Sequence, residues 1–481
     1  MPVIANRFHQ RGTLVVVCVA TAMLMLDIAV VNTALPYLAR DLHAGLAGVQ
    51  WVVDAYTLAL AAVVLSAGSI SDRRGRRRVF TRGLFLFTVS SLACAEASSI
   101  VMLDLARAVQ GLAAALMFAS SLAILADAFP VSRERAGALA AYGATIGGAF
   151  AVGPAVGGAL TSGLGWRAVF FVNVPLGVAG LLATGKWLRE SRDPSARRLD
   201  WPGQLVLTGG LFLLVLALLR GNTDGWGSAA IVAELTGALV LLVAFVAVER
   251  RSPVPMLPLG LFRRRDFTAA QLAAFAISAS FFALYLYMTL YLQDTLRLSA
   301  LDAGLVYMPG SVLLFVVSGA SAQLSERIAP GRLVAAGLIL VSGGLVLVTV
   351  TGTRSAWTAI LPGDLLVCVG TGIFNPALGV IALGAASDAN SGLLAGVNDA
   401  FRQGGLAIGV AAFGALVPAE AALGHGPARA YVDGFHHALL VGAGLAAAGA
   451  IATVALLRDR RTATATAPRA HVTPDSAAEI V

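Results

Sequence analysis

The chain has 481 residues, 58% hydrophobic and only 12% charged, with a mean hydropathy of +0.82. Soluble domains carry roughly 25% charged residues, so composition excludes a soluble globular protein. The net charge of +8 sits in short loops between apolar runs, which reads as membrane topology and leaves no nucleic-acid footprint.

A spanning helix needs about 20 mostly apolar residues, and this predicts an all-α membrane protein with spans at roughly 13–35, 50–70, 79–98, 101–126, 137–160, 167–187, 203–220, 229–248, 268–292, 303–324, 332–350, 357–382, 393–417 and 436–457. Those are fourteen segments. Arg7 and Arg11 ahead of the first run look like the start of a signal peptide. That run exceeds an h-region and holds Asp27, Asn32 and Pro36, so an uncleaved first helix is expected. With both ends on the cytoplasmic side, most lysines and arginines fall in inner loops, as the positive-inside rule requires. Six of them (Arg73, Arg74, Arg76, Arg77, Arg78 and Arg82) crowd the turn after the second span. Heavy arginine use, with Lys186 as the only lysine, and heavy alanine resemble the composition of a high-GC bacterium, and the expected location is the bacterial plasma membrane. The expected organisation is an inner tail 1–12, a first half 13–200, an inserted pair 201–262, a second half 263–457 and a disordered tail 458–481.

Several residues could carry chemistry. Asp27 is a carboxylate in mid-membrane, which marks an ion or proton path or a structural hydrogen bond to a neighbouring helix. Asp54 follows Trp51 near the outer end of its span. It reads as a helix-end acid stabilised by the helix dipole, or as a contact for a cationic substrate. Arg107, Gln110, Gly111 and Ala114 share one helix face. A buried guanidinium there needs an acid; Asp104 on the same helix is one option, and the partner stays open. Glycines 143, 147, 148, 153, 157 and 158 permit close helix approach, with Pro154 kinking the helix. In the thirteenth span Asn398, Arg402 and Gly405 line one face, while Asp399 either pairs with Arg402 or adds a proton or cation site. Glu234 and Asp364 lie in apolar runs near ends that could reach water. Phe281, Phe282, Tyr285 and Tyr287 could line a cavity, although packing is the plainer role.

The negatives matter too. Gly180 to Lys186 nearly spells a phosphate-binding loop but lacks the final Ser/Thr. Cys18, Cys94 and Cys368 suggest neither disulfide nor metal, and His436 and His437 lack ligand company. No enzyme activity, cofactor or metal is expected.

The turn Gly68-x-x-x-Asp72-Arg73-x-Gly75-Arg76-Arg77 resembles the signature loop between helices two and three of the major facilitator superfamily. A worn copy, Gly319 to Arg332, lies between the tenth and eleventh spans, as expected of two related halves. The stretch from Leu26 to Pro36 is similar to the first helix of the superfamily's fourteen-span drug:proton antiporters, with Ala29 where threonine is common. Gly153-Pro154-x-x-Gly157-Gly158 resembles the motif of the antiporter, export-type branch. Trp166 to Pro175, Asp200 to Gly203 and Gly225 to Ser228 extend the likeness over nearly the whole chain. Asn398-x-x-x-Arg402-Gln403-x-Gly405 fits as well, but Asp399 stands where a small polar residue is usual. The position of Asp54 is similar to that of an acid in exporters of quaternary ammonium compounds.

The resemblance implies a major facilitator fold of two six-helix halves plus two inserted helices. It implies proton-coupled efflux of a lipophilic drug or antibiotic by alternating access, by a monomer whose partners are the substrate, protons and the bilayer. Asp27 and Arg107 would couple protons. Asp54, Asp399, Asn32, Gln110, Asn398 and Arg402 would meet substrate. Gly68, Asp72, Arg73, Gly75, Arg76, Arg77, Gly153, Pro154, Gly157 and Gly158 would form the conformational switch. The alternatives are a dedicated exporter of one natural product and a membrane sensor that has lost transport.

Overall fold

The computed structural model describes residues 2–193, 200–253, 255–324, 327–383 and 391–457. Among them thirteen helices are long and apolar enough to cross a membrane. In chain order these are α1 (His9–Asp41), α2 (Leu46–Arg74), α3 (Arg76–Ala95), α4 (Ile100–Ala128), α5 (Gly137–Leu164), α6 (Ala168–Trp187), α7 (Trp201–Asp224), α8 (Ala229–Arg251), α9 (Arg265–Thr295), α10 (Ala300–Ser321), α11 (Pro330–Val348), α12 (Trp357–Ala382) and, last in the chain, α14 (Ala428–Leu457). Between the last two lies α13 (Ser391–Gly414), 24 residues and long enough to span. Its run Asn398, Asp399, Arg402 and Gln403 dilutes its apolar character, yet it packs inside the bundle against α2, α9 and α7.

The spans are longer than their apolar runs. The first helix begins at Pro2, so the expected tail 1–12 is instead helical from its second residue. The polar side chains there find partners on neighbouring helices: Gln10 donates to the Ala128 carbonyl (3.0 Å) and Thr13 to that of Trp187 (2.9 Å). The expected tail 458–481 lies outside the described residues.

Helix contacts reveal the internal symmetry that the worn loop repeat only hints at. In the first half α1 packs on α5 and α6, α3 on α4 and α6, and α2 on α4. Adding eight to each number gives α9 on α13 and α14, α11 on α12 and α14, and α10 on α12, all of which are observed. The contacts between halves, α2 with α13 and α5 with α10, exchange under the same operation. Helices α7 and α8 pack mainly on each other, and α7 leans on α2 and α13, one helix from each half. Val215 and Leu219 of α7 are buried there among Leu58, Ala407 and Ala411.

Glycine sets the closest approaches. A Cβ on Gly153 would collide with that of Ala29, and one on Gly157 would lie 2.7 Å from the Val30 Cα. One on Gly158 would strike the Ala300 carbonyl of the other half. The Ala29 methyl therefore abuts the α5 backbone directly. Such small-residue contacts replace the hydrophobic drive that lipid removes.

Among the described residues, the hydrogen bonds and the ion pair that join the two halves lie toward one face. At the end opposite the Arg-rich turn, Arg40 pairs with Asp294 (2.6 Å), Gln293 donates to the Thr33 carbonyl (2.9 Å) and the Leu301 amide to the Ser162 hydroxyl (3.0 Å). At the Arg-rich end, a Cβ added to Gly68, Gly143 or Gly148 would meet nothing within 4 Å, and α5 is exposed at Leu139, Ala140 and Ala144.

Candidate functional site

Asp27 sits in the middle of α1, fully buried, with Arg107 2% exposed beside it. The Arg107 Nη1 lies 2.5 Å from the Asp27 Oδ2. The other carboxylate oxygen accepts from Gln110 Nε2 (2.9 Å) and from Asn173 Nδ2 (2.8 Å). Gln110 also accepts from Arg107 (2.7 Å) and donates to the Ser91 hydroxyl (2.7 Å). Arg107 Nε donates to the Val52 carbonyl (2.9 Å), and its guanidinium lies over the Tyr56 ring at 4.3 Å. Five helices, α1, α2, α3, α4 and α6, thus meet on a single charge pair. Every donor of this kind matters, because an unpaired charge in such surroundings is very costly.

This answers the question of the Arg107 partner. It is Asp27 from another helix, not Asp104, whose Oδ1 is buried without a hydrogen-bond partner. Gln110, expected to meet substrate, has its amide engaged by Asp27, Arg107 and Ser91. Asn32 turns onto its own helix and donates to the Ile28 carbonyl (3.0 Å). Asn173 and Ser91 are the partners that sequence reasoning did not assign. Asn173 carried a signal, being a carboxamide inside an apolar run three residues after Phe170; Ser91 carried none.

The stretch from Trp166 to Asn173 proves to have two tasks. At its start Trp166 Nε1 and Arg167 clamp Asp41 at the end of α1 (2.9 and 2.6 Å). One turn later the Phe170 ring lies 5.9 Å from the Arg107 guanidinium, and Asn173 reaches Asp27.

The remaining expected contacts lie elsewhere. Asp54 is fully buried and neither carboxylate oxygen has a hydrogen-bond partner. One turn away, Gln50 bonds the Tyr287 hydroxyl (2.7 Å) and the Val410 carbonyl (3.1 Å) across the seam between halves. Asn398 donates to Gln271 (3.3 Å). No ion pair joins Asp399 to Arg402 among the described residues; the Arg402 guanidinium lies 5.7 Å from the Phe282 ring instead, and Asp399 Oδ2 has no partner. Phe282 in turn meets Phe150 of the first half at 5.5 Å. The structure therefore gathers Asp27, Arg107 and Gln110 into one cluster. It sets Asp54, Asp399, Asn398 and Arg402 apart from it, along the seam.

The Arg-rich turn is tied to the end of α6. Asp72 holds Arg76 at 2.8 Å, its carbonyl accepts from the Asp193 amide (3.0 Å), and the Arg76 amide donates to the Ser191 carbonyl (3.0 Å). Glu190 accepts from the Arg77 amide (3.2 Å) and lies 3.5 Å from Arg78. Arg73 is exposed. Gly75 has φ +106°, and a Cβ there would lie 2.6 Å from the Glu190 carboxylate. Gly75→Ala is thus expected to cost about 1–3 kcal/mol of backbone strain and to eject Glu190. The check is a lowered unfolding temperature together with faster proteolysis at residues 188–193.

Residues 17–410 match the Major Facilitator Superfamily. The chain belongs to this family. It is 36% identical over 462 residues to the puromycin resistance protein pur8 of Streptomyces alboniger, covering 93% of this chain and 91% of that one. It is 35% identical over 413 residues to the multidrug resistance protein Stp of Mycobacterium tuberculosis, covering 85% and 76%. Among solved structures, a peptide transporter POT in complex with sulfate superposes with a TM-score of 0.65 at 16% identity, over 92% of this chain and 95% of that one. The human organic anion transporter MFSD10 gives 0.61 at 18%, over 92% and 99%. This superfamily member is a multi-pass membrane transporter of the efflux type, not an enzyme.

Proposed function

We propose that the chain exports lipophilic drugs or antibiotics in exchange for protons, with Asp27 as the group that takes up and releases the proton. The observation that carries this reading is the buried Asp27–Arg107 pair, held at the meeting point of five helices. Protonating Asp27 removes the charge facing Arg107 and leaves the guanidinium on the Val52 carbonyl, Gln110 and the Tyr56 ring. That shifts the balance between packings of the first half, and a two-state bundle responds to such a bias. The Arg-rich face is cytoplasmic in this reading, with both termini on the inner side of a bacterial plasma membrane. The ties of Asp72, Gly75, Arg76 and Arg77 set how that face closes. In this reading the chain works as a monomer with halves 13–200 and 263–457, and Asp54, Asp399, Asn398 and Arg402 along the seam are the candidate contacts for cargo.

A narrower cargo is favoured by the names of some relatives. Besides the puromycin resistance protein, a tetracenomycin C resistance and export protein of Streptomyces glaucescens is 31% identical over 424 residues. Both are named for one compound. Inverted vesicles energised to be acidic inside test the two readings, using a panel of cationic dyes and neutral antibiotics. Discharge of the gradient by several unrelated compounds supports polyspecific antiport, and discharge by one compound supports a dedicated exporter. Accumulation of a compound without proton movement contradicts coupling.

A further inference from the structure

A second buried carboxylate lies outside both the Asp27 cluster and the expected substrate contacts. Asp364 of α12 is 7% exposed, and its Oδ2 has no hydrogen-bond partner. It borders a cavity between α9, α10, α11, α12 and α14, together with Phe281, Tyr285, Met288 and Tyr307. The cavity has a volume of about 20 Å³, room for one water-sized group. Gly310 makes room for the carboxylate: a Cβ there would collide with Asp364 Oδ2 and lie 2.8 Å from Cys368 Sγ.

The lining has a definite chemical bias. Tyr285 and Tyr307 overlap with ring centroids 4.4 Å apart. The Tyr307 hydroxyl is engaged with Thr289 (3.1 Å), whereas the Tyr285 hydroxyl has no partner. An ionised carboxylate only accepts hydrogen bonds, and a phenol oxygen can accept as well. Aromatic faces attract cations. A π-helical turn, Ser278–Phe282, precedes Tyr285, and such turns concentrate at functional sites. Phe281, which lines the cavity, packs on Phe282 at 5.1 Å, the ring that meets Phe150 of the first half at 5.5 Å.

We propose that this cavity receives the primary ammonium head of a cationic amphiphile, with the apolar body lying along Phe281 and Phe282. A primary ammonium is close to water in size and brings three N–H donors to Asp364 Oδ2, the Tyr285 hydroxyl and the ring faces. A trimethylammonium head is too large for the space and has no donor. The inference rests on the efflux reading and names a substrate class for it, at a site in the second half alone.

The probe is dansylcadaverine, a lipophilic primary amine, compared with its N-acetyl and N,N,N-trimethyl derivatives. Binding is measured by fluorescence to the full chain in lipid nanodiscs. The wild type is expected to bind the amine about tenfold more tightly than either derivative, the range of a hydrogen bond to a charged group. Asp364→Asn should bring the amine down to the affinity of the acetylated probe, and Gly310→Ala should do the same by displacing the carboxylate with its charge intact. Tyr285→Phe should weaken the amine about threefold. Retained binding of the acetylated probe certifies that each variant is folded. Equal losses for amine and acetylated probe in Asp364→Asn, no loss for either, or equal binding of amine and trimethylammonium by the wild type would each overturn the proposal. Gradient discharge by neutral compounds through Asp364→Asn shows separately whether the efflux reading stands.

Discussion

Arg107→Ala is expected to leave little folded protein and no transport. The substitution strands the Asp27 carboxylate, fully buried, with only Gln110 and Asn173 as donors. Removing one partner of a buried ion pair costs about 3–5 kcal/mol, because the remaining charge is neither solvated nor matched. It also empties the space over the Tyr56 ring and frees the Val52 carbonyl. Adding Asp27→Asn to the same chain removes the stranded charge. The double variant should regain much of the lost unfolding temperature in detergent while remaining inactive. A single variant as stable as wild type would mean that the pair contributes nothing to holding the first half together.

Asp27→Asn alone has a different expected outcome. The side chain keeps its shape and an acceptor for Arg107 Nη1, its NH2 is met by turning the Asn173 carboxamide to present an oxygen, and Arg107 retains Val52 and Tyr56. It therefore mimics the protonated acid that the transport cycle itself must populate. Folding should survive, while transport driven by a proton gradient should fall by at least about 100-fold, the scale of losing a group essential to proton transfer. Exchange of labelled for unlabelled substrate needs the rocking motion but no proton, and it should persist. Asn173→Ala should give a milder version, since it deletes one donor to Asp27 and leaves the charge pair intact.

Much of this was legible in the chain. Hydropathy and arginine placement set the number and order of helices because lipid permits few alternatives to an apolar helix of fixed length. Asp27 and Arg107 stood out because each is costly in hydrocarbon. Their pairing was not legible: it joins residues 80 positions apart, and Asp104, three residues from Arg107, was nearer in sequence. Ser91 looks like any small residue of a membrane helix. The Asp399–Arg402 spacing allowed a pair on one helix face, yet the guanidinium prefers the ring of Phe282, a choice made by packing between helices. Asp364 reads in the sequence as an acid near a helix end; that Gly310 of another helix makes room for its carboxylate is set by packing.

The most direct test of the central claim is gradient-driven substrate accumulation set beside substrate exchange, in proteoliposomes carrying wild type or Asp27→Asn. The account predicts that the variant exchanges substrate at a rate close to wild type and accumulates none when a pH gradient is imposed. Accumulation by Asp27→Asn at the wild-type level would contradict it, and would leave the Asp27–Arg107 pair a structural tie with the coupling acid elsewhere along the seam.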